Sequence, residues 1–194
     1  MSTFVKPNGS GFITPDDIDD LDVDDLYTVV AFDPGGTTGW ATFSVYLEAI
    51  EDSDYRIMDN ISFWTAGEFI GGEREQTDEM FSLVQAWPDA HIVVEDFLLR
   101  KFSTARELLS PVRMTARFDD RMYSKGDRRP IIIQPGKLAM DTVTDARMAK
   151  MGLYNPLIGQ EHARDGVKHA VTWLKRAKKL YQQNLIASAL LGDQ

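Results

Sequence analysis

An α/β domain with a mixed five-stranded sheet flanked by helices is the fold class this sequence predicts, and three observations predict it. Three β-rich segments follow one another between about residues 27 and 65, joined by short turns. Two short apolar runs, HIVVE at 91–95 and PIIIQ at 130–134, have the length and β-branched content of fully buried strands. Segments of helical period separate and follow those runs, giving the order β-β-β-α-β-α-β-α-α.

Residues 1–26 hold seven Asp (16, 17, 19, 20, 22, 24 and 25) against Lys6 and few apolar side chains, which predicts an acidic, disordered tail before a domain at 27–194. Strand one, at 27–33, carries Val29, Val30, Ala31 and Phe32 and ends on Asp33. Pro34-Gly35-Gly36 then turns the chain into strand two, at 39–48. An acidic turn leads to strand three, at 55–65, where Ile57, Ile61 and Phe63 alternate in part. Met80, Leu83, Val84 and Trp87 lie at i, i+3, i+4 and i+7 of a helix over 73–87, and Pro88 stops it. Strand four is 91–95. A second helical stripe (Ala105, Leu108, Leu109, Val112, Ala116) is kinked or restarted at Pro111, and charged residues 119–129 read as a loop. Strand five, at 130–134, gives way to one short helix over 137–150, a loop at 151–160 and a last helix from 161 into the 180s.

No cysteine is present, so disulfide scaffolds and thiolate zinc sites are excluded. The start has no basic region followed by an apolar core, and no apolar run reaches the roughly 18–20 residues of a membrane span. The expectation is a soluble, cytoplasmic chain with no membrane partner. Net charge is −9, yet residues 100–129 hold nine basic against four acidic residues, and 162–180 hold six against one. Two basic segments on an acidic chain are the footprint of a nucleic-acid partner, or else solvated helix faces.

Glu95 ends strand four as Asp33 ends strand one. If those strands are parallel neighbours, both acids emerge at one sheet edge, where α/β sheets place their sites. They would repel unless one is protonated or a cation lies between them. Otherwise Asp33 caps its turn, and Glu95 and Asp96 are ordinary strand-end charges. On the last helix, Ala163, Val167, Ala170, Leu174 and Ala177 centre the buried stripe, and His162, Asp165 and His169 fall within about 60° of one another on its solvent border. They are either ligands or a helix-capping group. Hard oxygens with one imidazole suit Mg²⁺ or Mn²⁺ better than zinc, and a pair of such ions supports phosphodiester hydrolysis.

The strand-end acid in VVAFDPGGTTGWA, the second acid in HIVVEDF and HARDG opening the last helix resemble the RuvC family of Holliday-junction resolvases, within the RNase H-like superfamily. The resemblance covers about 27–180 and implies an RNase H-like fold. It implies that Asp33, Glu95 and Asp165 are metal ligands and catalytic residues, that His162 joins them or stands beside the attacking water, and that two ions bind. It implies branched DNA as substrate and a homodimer in which each subunit cuts one strand of a four-way junction. His169 is then a supporting group behind the ligands. The family places an aromatic wedge about three residues after the Glu. Leu98 holds that spacing here, with Phe97 and Phe102 nearby, and Gly166 stands where the family often has Ala. The acidic tail points to a divergent member from a bacteriophage, acting in the host cytoplasm.

Arg100, Lys101, Arg106, Lys137, Arg164 and Lys168 are the candidate phosphate contacts. DPGGTTG also resembles the first phosphate loop of sugar kinases, but no second phosphate motif and no G-K-[ST] ending accompany it, so no nucleotide cofactor is expected. A nuclease of flaps or RNA and a junction-binding module without cleavage are the remaining alternatives. The apolar stretch NLIASALLGDQ is available for pairing of subunits.

Overall fold

The computed structural model describes residues 26–97 and 109–191, with side chains to 184. The tail and the candidates Leu98, Arg100, Lys101, Phe102 and Arg106 lie outside the described residues, as do the side chains of most of NLIASALLGDQ. Strand β1 (Leu26–Asp33) pairs antiparallel with β2 (Thr37–Tyr46), which pairs antiparallel with β3 (Ile61–Ile70). On its other side β1 runs parallel to β4 (His91–Asp96), and β4 parallel to β5 (Ile131–Pro135). The sheet is therefore mixed and five-stranded, in the order β3-β2-β1-β4-β5.

Side chains alternate to opposite faces of the strands, and two cores result. Val30, Phe32, Trp40, Ile92 and Val94 meet Met80 and Val84 of α2 (Glu73–Gln85) and Met114, Phe118 and Met122 of α3 (Ser110–Ser124). Val29, Ala31, Ala41, Phe43 and Val93 meet Ala163, Val167, Ala170, Val171 and Leu174 of α6 (Glu161–Leu191). Short helices α1 (Glu48–Glu51), α4 (Gly136–Thr142) and α5 (Asp145–Lys150) gather against α6, adding Ile50, Val143 and Met148 to that core. Among the described residues no helix is long and apolar enough to cross a membrane.

Three expectations change. Strand three begins at Ile61, because Ile57–Asn60 forms a 3₁₀ turn. The second helix begins at Ser110 with Pro111 in its first turn, where the missing amide costs nothing, and it continues through 119–124. Its buried row is Met114, Phe118 and Met122, whereas Val112 is exposed. The helix expected over 137–150 is two, since Thr144 caps a new start by accepting from the Arg147 amide at 3.3 Å.

Candidate metal centre

The register between β1 and β4, with Phe32 opposite Val94, brings Asp33 and Glu95 to the same level at the ends of two parallel strands. Their carboxyl groups share a hydrogen bond. Burial, then Glu95 and the charge of Asp165, push the Asp33 carboxyl well above the usual range, against the opposing pull of Lys168. Burial also acts upward on Glu95, but the adjoining His169 imidazole and the Asp33 carboxyl outweigh it and hold Glu95 low. The pair thus carries one proton at neutral pH, on the Asp33 side. A cavity of about 260 Å³ opens in front of it, lined by Pro34, Gly35, Phe97, Pro111 and His162.

Three glycines let backbone and side chains into this corner. Asp33 pairs with Gly39 across the β1–β2 ladder, and a Cβ at 39 would collide with the His162 carbonyl. A Cβ at Gly166 would meet the Trp40 backbone at 2.8–2.9 Å, closer than real Cβ contacts allow. The first turn of α6 therefore lies directly on β2. A Cβ at Gly136 would occupy the space of Glu95 Oε1. Glu68 of β3 completes the arrangement. Its Oε1 accepts from the amides of His162 at 3.0 Å and Ala163 at 3.4 Å, capping the start of α6.

His162 is half-buried, with Nδ1 3.9 Å from Asp33 Oδ2. His169 does not lie on a solvent border; it is fully buried, because α6 is covered on more than its apolar stripe. Its Nε2 stands 3.4 Å from Glu95 Oε2, without the alignment of a full hydrogen bond. On the other side of the ring, the buried Gln134 amide donates to Nδ1 at 2.9 Å and to the His169 carbonyl at 3.2 Å. Each histidine thus faces a different acid. Asp165 Oδ1 accepts from Lys168 Nζ at 2.9 Å, and the same ammonium lies 2.9 Å from Asp145 Oδ1.

Lys168, a candidate phosphate contact, is therefore buried and held by two carboxylates. Arg164 donates to the Leu157 carbonyl at 3.1 Å and stacks over Tyr154. Lys137 is largely exposed beside Asp141, next to the glycine under Glu95. Glu68 and Gln134 were not singled out in the sequence. Gln134 had one local signal, an amide ending a run of three isoleucines; Glu68 had none.

The residues fit a divalent cation. Two partly buried carboxyl groups in contact demand a proton or a positive ion, the cavity opens on them, and the donors are hard oxygens with one imidazole. Among the described residues, no three His, Asp or Glu side chains converge as a finished metal cage.

No family model matches the chain, and no curated protein sequence matches it significantly. In fold, the chain is similar to the Thermus thermophilus RuvC structure (14% identity, 75% of this chain and 92% of that one, TM-score 0.46) and to T. thermophilus RuvC in complex with a Holliday junction substrate (13%, 75% and 91%, TM-score 0.48).

Proposed function

We propose that this chain is a metal-dependent endonuclease that resolves four-way DNA junctions by phosphodiester hydrolysis, one nick per subunit of a homodimer. The observation that carries the proposal is the contact between Asp33 and Glu95 at one sheet edge, faced by His162 across an open cavity. Asp33, Glu95, Asp165 and His162 would hold Mg²⁺ or Mn²⁺. The ions, when bound, supply Lewis acidity at the scissile phosphate. Two ions are the expectation for the full complex with DNA.

The chain's own groups have separate tasks. Asp33 gives up the proton it shares with Glu95 as the site fills, so the two acids act as charges only in the loaded protein. His162 faces the cavity with its ring half-exposed and is placed to take a proton from an attacking water. His169 stays behind Glu95 and holds that carboxylate ionised. Phe97 lines the same cavity and is the wedge candidate that stands against the site. Selectivity for four-way junctions rests on the resemblance carried by VVAFDPGGTTGWA, HIVVEDF and HARDG.

The test is a mobile synthetic four-way junction incubated with the full chain and Mg²⁺ or Mn²⁺. Paired symmetric nicks are expected. Binding without nicks at any metal concentration, or equal cutting of flaps and single strands, would overturn the resolvase reading.

A further inference from the structure

Helix α6 holds no acid from Gly166 to Leu191, and its second half carries a cluster of cations. At about 100° per residue, Trp173, Arg176, Lys179 and Lys175 follow one another round one side of the helix. Lys175, Arg176 and Lys179 are exposed, and the Arg176 guanidinium lies 5.8 Å from the Trp173 ring centre. Arg147 of α5, also exposed, extends the arc beyond Lys175. Desolvation, then the like charge of Arg147, pull the Lys175 ammonium below the usual lysine range.

Among the described residues, no carboxylate pairs with any of these four cations. Arg147 spends its donors on the Asp141 and Thr142 carbonyls. The acids of the neighbouring short helices are already taken, Asp141 of α4 by Lys137 and Asp145 of α5 by Lys168. Four cations held together without a counter-charge repel one another, and an anionic partner would relieve that cost.

The chain has such a partner rooted beside the arc. Tyr27 stacks on His91 with ring centres 4.4 Å apart, and its hydroxyl oxygen accepts from Trp173 Nε1 at 3.1 Å. That fixes the start of β1 against the edge of the arc. Immediately before it, residues 16–25 hold seven Asp and no cation, with Asp24 and Asp25 nearest the root. Ten extended residues reach roughly 33 Å, whereas Trp173 to Lys179 rises only about 9 Å along the helix. Tethering also raises the effective concentration of the carboxylates at the arc to roughly the millimolar range, an advantage that no free anion shares.

We propose that the acidic segment 16–25 docks in cis on the basic arc of α6 and α5 formed by Arg176, Lys179, Lys175 and Arg147, and denies that face to other polyanions. The arc lies at the opposite end of β1 from Asp33, so the inference stands apart from the metal-centre reading.

The experiment measures acetylation rates of individual lysines by peptide mass mapping, on the full chain without nucleic acid. It compares wild type with a variant carrying Asp20→Asn, Asp22→Asn, Asp24→Asn and Asp25→Asn. In wild type at low salt, Lys175 and Lys179 are expected to react roughly fivefold or more slowly than in the variant. Exposed Lys125 at the end of α3 should react equally in both. The difference should vanish in about 1 M NaCl, where screening acts within about 3 Å. Equal rates at Lys175 and Lys179 in the two proteins overturn the docking. So does protection that appears only when a linear DNA duplex is added, which would give the face to nucleic acid. Carbodiimide cross-linking of mixed ¹⁴N and ¹⁵N chains then separates cis from trans. Links from 16–25 to Lys175 or Lys179 within one isotope support the proposal, and links that only join the two isotopes overturn it in favour of a second copy.

Discussion

Asp33 and Glu95 hold one proton between them because each is too buried to stand as a free charge beside the other. Asp33→Asn removes the cost of keeping that carboxyl protonated, so it should raise the melting temperature of the metal-free protein by a few degrees while abolishing nicking. The raised Asp33 group binds its proton in the folded state at pH values where the unfolded chain has lost it. The Asp33 contribution to metal-free stability is therefore fully present below its unfolded value and is lost as pH rises toward its folded value. Metal must displace the same proton, so Mn²⁺ affinity should rise with pH over that range, with about one proton released per first ion; calorimetry in buffers of different ionisation enthalpy reads this directly. A flat affinity would exclude the shared proton. Gln134→Leu removes the amide that fixes the His169 ring, and about 10–100-fold weaker Mn²⁺ binding is expected with an unchanged first-ion count. At this scale the sequence showed the strand-end acids, since a carboxylate closing an apolar run is a local signal. It could not show Glu68 or the Asp145 partner of Lys168. Those contacts join residues on separate elements, as with Glu68 and His162, 94 positions apart, and leave no periodic trace.

Helix α6 reaches the site because β2 presents glycine and bare backbone to it. Gly166→Ala places a methyl against the Trp40 main chain, which cannot move aside as a side chain would. A loss of about 1–3 kcal/mol is expected in urea unfolding, with His162 drawn from Asp33 and nicking reduced. Glu68→Ala leaves the first amides of α6 without their acceptor and should cost about 1 kcal/mol. The elements themselves were legible where one period dominated, as in β1, β4, β5 and the apolar row of α6. Two failures have a physical cause. Charged residues 119–124 looked like a loop, yet Phe118 and Met122 extend the buried row of α3 and the charges face outward. The helical wheel of α6 locates only the face against the sheet, so it puts His169 at the solvent border and leaves Lys168 as a phosphate contact. Helices α4 and α5 cover more of that helix, and no pattern within α6 announces them.

At the scale of the molecule, the sheet order was the inference that mattered, because only a parallel β1–β4 contact unites acids 62 positions apart. Of the phosphate candidates within the described residues, Lys137 is the one with an exposed ammonium. If it meets a phosphate, Lys137→Ala should reduce the slope of log affinity against log salt for junction binding by about 0.9, with little change in sequence preference. An unchanged slope would remove Lys137 from the interface.

Helix α6 follows every strand among the described residues. A ribosome therefore releases both strand-end carboxylates before His162 and Asp165 exist, and the corner stays half-built until the rod that roofs the sheet has been made and seated.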